Sequence, residues 1–325
     1  MEGAADRGSP KPGREPEGPP GGEHSADRIP IAVTTGASGI RLAAAGDVYW
    51  LVVPADPEAI WPQLEAFWPE HGLPLRSLDR PAGLMETAWT ENRVRLPKDQ
   101  THFVHRLLSQ LSTAERLDRF RVRLARRADG NTHIYLAHRR LVKYPRETGP
   151  DRWVDAGHDP ALEAAFLSRL AITLGAGSDT RYSAEDLQRA ATPRARLVRA
   201  ENAEGAVDTY IELSDRFPRA WVRVNHLLDV LGLERLAVEH DPGAYDGLVR
   251  VAMASESQPL GKAVPPAIIH QAFDADRRFV LRLRGDETGT RLAVVPAPTK
   301  AIPVVDPVAQ DAARDLLDYL ATRLR

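Results

Sequence analysis

The residue types that carry chemistry are all present here except cysteine, but their spacing assembles no catalytic motif. His102 and His105 stand one helical turn apart, a spacing that suits a shared metal ion, yet no third ligand is near in sequence. Exposed or helix-capping roles account for such histidines. Gly36-Ala37-Ser38-Gly39 has the wrong spacing for a nucleophile elbow. Gly261-Lys262 lacks the earlier glycine of a phosphate-binding loop, and alanine follows where Ser or Thr would hold magnesium. Glu86 and Glu91, or Asp229 and Glu234, offer paired acids, but nothing in their spacing selects them from the other carboxylates. With no cysteine there is no thiolate metal site, disulfide or thiol nucleophile. The expectation is therefore no enzyme, no metal and no cofactor.

Binding chemistry is equally spare. Arg119, Arg121 and Arg123 alternate with Phe120, Val122 and Leu124, the pattern of a strand with one solvated face. A platform for nucleic acid would need exposed aromatics among those arginines, and none stands there. The net charge of −2 over 325 residues gives no field that recruits nucleic acid or anionic lipid. Trp61 and Trp221 fall on apolar helical stripes, which makes them core residues rather than ligand-stacking groups. No window approaches the ~18 consecutive apolar residues that a spanning helix needs.

The elements that must carry these residues come next. Val48 to Val53 (VYWLVV) reads as a strand, and Asp56-Pro57 opens a helix, with Asp as cap and Pro in the first turn. Ile60, Trp61, Leu64, Phe67 and Trp68 form its apolar stripe, and Gly72 ends it. Strands at Leu73 to Leu78 and Leu84 to Trp89 flank a turn at Asp79 to Gly83. The same pattern returns later, with Trp61, Gly72, Leu73 and Gly83 recurring at one offset as Trp221, Gly232, Leu233 and Gly243. The hairpins Arg119 to His138 and Arg278 to Ala297 match, and each half closes on an Asp-Pro helix, at Asp159-Pro160 and Asp306-Pro307. Arg196 to Ala200 offers one further strand before the second copy. Both copies carry an insertion after the second hairpin, Arg93 to Arg116 and Ser255 to Asp276; the first, with Phe103, Leu107 and Leu111, reads as an amphipathic helix.

The predicted fold class is α+β: two tandem helix-grip domains, each an antiparallel sheet around a long C-terminal helix, behind a disordered N-terminal arm. The predicted boundaries are an arm over 1–45, a first domain over 46–175, a linker over 176–195 and a second domain over 196–325. Residues 1–27 are rich in proline, glycine and charge, too poor in apolar surface to offset the entropy of ordering. Within the arm, 28–45 is different. Arg28, Ile29, Pro30, Ile31, Val33, Ile40 and Leu42 make it apolar enough to adhere to something, while its glycines prevent an independent element. It either packs on the domain that follows or lies extended in a partner's groove.

Asp56, Trp61, Leu64, Gly72, Asp79, Gly83 and the run Met85 to Arg93, followed by Arg119 to Leu124 and Asp129-Gly130, resemble the first domain of the BamC (NlpB/DapX) lipoprotein family. The second copy resembles it more loosely. The resemblance implies a non-enzymatic accessory subunit of the outer-membrane β-barrel assembly (BAM) complex, which folds and inserts outer-membrane proteins in Gram-negative bacteria. It also implies that the stretch from Arg28 to Leu42 lies extended on the tetratricopeptide-repeat lipoprotein BamD. A location at the outer membrane on the periplasmic side, lipid-anchored or peripheral, follows from the same resemblance. The family carries a signal peptide and a lipidated cysteine, and their absence from these residues leads us to expect an upstream segment or an anchor removed or lost. The competing reading is a helix-grip carrier of a small apolar ligand. It requires a cavity well above ~300 Å³ inside a domain, where Trp61, Phe67 and Leu170 are expected to fill the space.

Overall fold

Asp56 and Asp159 each start a helix in the computed structural model, which describes residues 38–91, 116–145, 148, 152–176, 195–201, 207–241, 245–253, 278–286, 288–297 and 307–325. Asp56 accepts from the Glu58 amide at 3.2 Å and starts α1 (Pro57–Glu70); Asp159 accepts from Leu162 at 3.1 Å and starts α2 (Pro160–Thr173). These caps satisfy amides that the helix itself leaves without acceptors. With α3 (Phe217–Val230) and α4 (Pro307–Arg323) there are four helices among the described residues. They pack on two antiparallel sheets, so the chain is α+β. The two insertions, save Arg116 at the start of a strand, and the 28–37 part of the arm lie outside the described residues.

The first sheet holds β1 (Arg41–Ala45), β2 (Val48–Val53), β3 (Leu75–Asp79), β4 (Leu84–Thr87), β5 (Thr90–Glu91), β6 (Arg116–Arg126), β7 (Thr132–Tyr144) and β8 (Arg152–Gly157). Its order is β1-β2-β7-β6-β4-β3, with β5 paired to β6 and β8 to β7. The second holds β9 (Ala195–Glu201), β10 (Val207–Leu213), β11 (Leu233–Asp241), β12 (Asp246–Met253), β13 (Phe279–Gly285) and β14 (Thr290–Pro296). Read from β9, its order is β9-β10-β14-β13-β12-β11. Position by position the six strands follow the same path in both sheets. The strand expected at Arg196 to Ala200 is β9, and its counterpart β1 falls inside the stretch assigned to the arm.

Each sheet buries one face under a helix. Phe166, Leu167 and Leu170 of α2 pack with Leu51, Phe120, Ile134 and the α1 stripe; Leu316, Leu317 and Leu320 of α4 pack with Ile211, Val249, Leu281 and the stripe of α3. Phe166 lies 4.7 Å from Phe120 and 5.8 Å from Trp68, ring centre to ring centre, so three aromatic rings join sheet and helices at the middle of the first core. Gly83 shows why a glycine ends the β3–β4 turn. Its φ is +66°, and a Cβ there would sit 2.7 Å from the Leu124 carbonyl oxygen.

The first sheet is covered on its outer face as well. All six residues of β2 are buried: Tyr49, Leu51 and Val53 lie in the first core, while Val48, Trp50 and Val52 meet Ala43, Ala45, Tyr135 and Val222 on the other side. Val222 belongs to α3. That helix therefore lies between two sheets, and it is buried almost all round, whereas α1 buries a single stripe.

Candidate functional site

The junction of the two halves is built from residues three and four apart along α3. Val222, Arg223, His226 and Asp229 share one flank of that helix, and all four are buried. Arg223 donates to the Asp215 carboxylate and, at 3.0 Å, to the Leu324 carbonyl, and reaches 4.0 Å from Asp47 across the junction. His226 Nε2 lies 3.2 Å from Glu163 Oε2 of α2. Asp229 accepts from Arg123 of β6 at 3.0 Å and from Arg235 of β11 at 2.6 Å, so one carboxylate serves a guanidinium from each half. Arg121 completes the contact by donating to the Leu233 carbonyl at 3.1 Å.

The arginines of β6 are thus not a solvated face. Their alternation correctly places them on one side of the strand, and α3 and β11 cover that side. Arg119 and Arg121 both hold Glu86, the latter at 2.8 Å through Nε. Burial would raise the Glu86 carboxyl, but Arg121 and Arg119 outweigh it and hold it below its ordinary value. Burial would likewise raise Asp229; Arg235 and Arg123 hold it well below the carboxylate range. Glu163 follows the same rule, with burial opposed by His226 and His158. Of the four acids weighed from sequence, Glu86 and Asp229 are therefore locked by arginines. Such pairing positions elements and leaves neither of these two carboxylates poised for proton transfer.

A cleft of about 880 Å³ opens beside this junction. Its walls come from β3, β6, β7, α3 and the edge strand β11, with Arg76, Arg123, Arg127, Tyr135, Trp221 and His240 among them. Trp221 stacks on His240 at 4.6 Å and lies over Gly247, where a Cβ would come within 2.3 Å of the ring. Trp221 is thus a wall residue at the margin of the second core, not a fully inward one like Trp61. The cleft lies between the halves rather than beneath α2 or α4.

The arm residues singled out in the sequence divide. Arg28, Ile29, Pro30, Ile31 and Val33 lie outside the described residues, as do His102, His105 and Gly261-Lys262. Ile40 and Leu42 are buried in the first core, the latter on β1, which pairs with β2 from Arg41 to Ala45. The cluster His158, Glu163 and His226 escaped sequence reasoning altogether. Its members come from two halves, and only the chain's path brings their ligand atoms within 4.8 Å of one another.

No family model matches the chain. Among curated proteins, outer membrane protein assembly factor BamC of Thiobacillus denitrificans is 35% identical over 213 residues, 63% of this chain and 55% of that protein. A protein of the same name from Accumulibacter regalis is 32% identical over 238 residues, 68% of this chain and 60% of that protein. The chain is a homologue of these BamC proteins. An uncharacterized protein of Neisseria meningitidis serogroup B is 33% identical over 210 residues, 62% of this chain and 50% of that protein. The chain spans 50% to 60% of the length of these relatives. The residues that carried the BamC resemblance turn out to be structural. Trp61, Leu64 and Met85 lie in the first core, Gly72 and Gly83 hold positive φ, and Trp89 sits beside the guanidiniums of Arg119 and Arg139. In this BamC homologue they mark a fold rather than a reactive centre.

Proposed function

We propose that the chain is a non-enzymatic accessory subunit of outer-membrane β-barrel assembly, acting as a two-domain scaffold that binds a partner through its arm. The observation that carries this reading is the identity to two proteins named for that assembly. The partner is BamD, the site is residues 28–37, and the location is the periplasmic side of the outer membrane. The domains are tandem helix-grip units over 46–175 and 196–325, the first extended at its start by β1. Their common strand order and the helix packed on each sheet support an internal duplication. A scaffolding role is supported by the junction, where the buried Asp229 and the partly buried Glu86 and Asp155 are each held by arginine.

The test is deletion of residues 28–37 alone, since removing 28–45 would also remove β1 and expose the first core. Co-purification with BamD from membranes is expected to be lost, with an unchanged circular-dichroism melt. Retained binding by the deleted chain overturns the arm-docking claim. Loss of binding with an altered melt requires the point variant Ile29→Asp Ile31→Asp, whose failure to weaken binding overturns it equally.

A further inference from the structure

We propose that His158, Glu163 and His226 bind a divalent transition-metal ion of the zinc class, and that this ion ties the two halves together. His158 follows Gly157 at the end of β8, Glu163 sits in the first turn of α2, and His226 lies on α3 of the second half. Two imidazoles and one carboxylate form a ligand set that suits zinc and its neighbours, with a fourth position left for water. His158 Nδ1 is 3.2 Å from Glu163 Oε1, and His226 Nε2 is 3.2 Å from Glu163 Oε2. Ligands about 2.0–2.1 Å from a tetrahedral zinc stand roughly 3.3–3.5 Å apart. The two close pairs, one to each oxygen of Glu163, are just under that spacing, and the three ligand atoms lie within 4.8 Å of one another.

His158 Nδ1 and Glu163 Oε1 share a hydrogen bond, but three polar atoms at this place lack the partners their burial demands. Glu163 is fully buried and its Oε2 has no hydrogen bond; both ring nitrogens of the buried His226 also lack one. At 3.2 Å the two groups approach without meeting hydrogen-bond geometry. Buried polar groups in native proteins are nearly always satisfied, and a cation between these atoms would satisfy the carboxylate oxygen and one ring nitrogen together. The surroundings are arranged as around a metal ligand. Glu163 Oε1 accepts from the His138 amide at 2.7 Å, which fixes the carboxylate's orientation. The His158 side chain is 22% exposed, giving the site a mouth through which an ion and its water can enter. Two ligands from one half and one from the other mean that binding favours the closed junction.

The full chain, without a histidine tag, is stripped with EDTA, incubated with zinc chloride and dialysed. One zinc per chain is expected by elemental analysis. At zinc concentrations about 100 times Kd, the melting temperature is expected to rise by roughly 5 °C. Cobalt(II) is expected to give the visible absorption of a four-coordinate site. His158→Ala, at the partly exposed ligand, is expected to lose the zinc and the thermal shift while keeping its circular-dichroism spectrum; His226→Ala should behave alike. Where His226→Ala fails to fold, His158→Ala decides. Absence of zinc with equal melting in zinc and EDTA leaves only histidine–carboxylate pairs and overturns the proposal. Zinc retained by the His158→Ala chain is bound elsewhere and overturns it too.

Discussion

Asp229 is the residue on which the junction's electrostatics converge, because it is the shared acceptor for Arg123 and Arg235. Asp229→Ala leaves two guanidiniums facing each other in a buried place. A loss of about 3–5 kcal/mol is expected for breaking such a buried pair, read as a lower urea midpoint. Asp229→Asn, which keeps the shape, should cost less. His133, on the cleft wall, sets a different dependence. Burial, aided by Arg127, pushes its imidazole down to about 4, so the folded chain keeps it neutral. The unfolded chain protonates it near pH ~6.5. Between those values the unfolded state binds more protons, so stability is full above ~6.5, falls as pH drops towards 4, and levels off below. His133→Gln is expected to flatten the stability–pH curve in that window. The acid-side loss due to Asp229 lies lower, beginning at the ordinary carboxylate pKa and continuing as pH falls further. None of this was legible residue by residue. The arginine alternation at Arg119, Arg121 and Arg123 gave the strand face correctly and could not show which element covers it.

Elements were the most legible level, for reasons of local physics. Asp-Pro pairs, apolar stripes and glycines at turns act over a few residues, so α1 and α2 and the hairpins could be read directly. One strand signal was fuller than its reading. The run Val48 to Val53 has no polar alternation, and that is the pattern of a strand buried on both faces. It announced that something covers the outer side of the first sheet, though not that α3 does so. β1 was obscured by the glycines preceding it, and its burial comes from pairing with β2 rather than from its own propensity. Packing of α2 across the sheet is where most of the first half's cohesion is expected. Phe166→Ala removes the ring shared by Phe120 and Trp68, and a loss of about 3–5 kcal/mol is expected in denaturant unfolding of the full chain. An unchanged midpoint would show that α2 is not the clamp its contacts describe.

At the scale of the whole molecule, two sheets with one strand order meet asymmetrically: a helix of the second half covers a sheet face of the first. A head-to-tail contact of this kind can in principle propagate, adding further copies. The sequence blocks that. At the α1 positions matching Val222, Arg223, His226 and Asp229 of α3 stand Pro62, Gln63, Ala66 and Pro69, which offer neither the charges nor the apolar knob of the junction. On the second sheet, whose corresponding face no helix covers among the described residues, the difference shows directly. Arg282, the counterpart of Arg123, has a side chain 45% exposed against 18%, and among the described residues it pairs with Asp246 at the surface. Much of the junction thus rests on groups that α1 lacks, and Val222 is the one that enters the apolar patch of Ala43, Val48, Trp50 and Tyr135. Val222→Arg places a charge there without touching either sheet's helix-covered core. Its expected effect is separation of the halves: a larger radius of gyration by small-angle scattering and faster amide exchange confined to β1, β2 and β7. The slow-exchanging amides of β13 and β14, on the far core, should keep their protection. If the radius stays that of the parent chain, the contact does not depend on this patch, and the polar contacts of the junction, Arg323–Asp155 and Arg121–Leu233 among them, suffice to hold the halves.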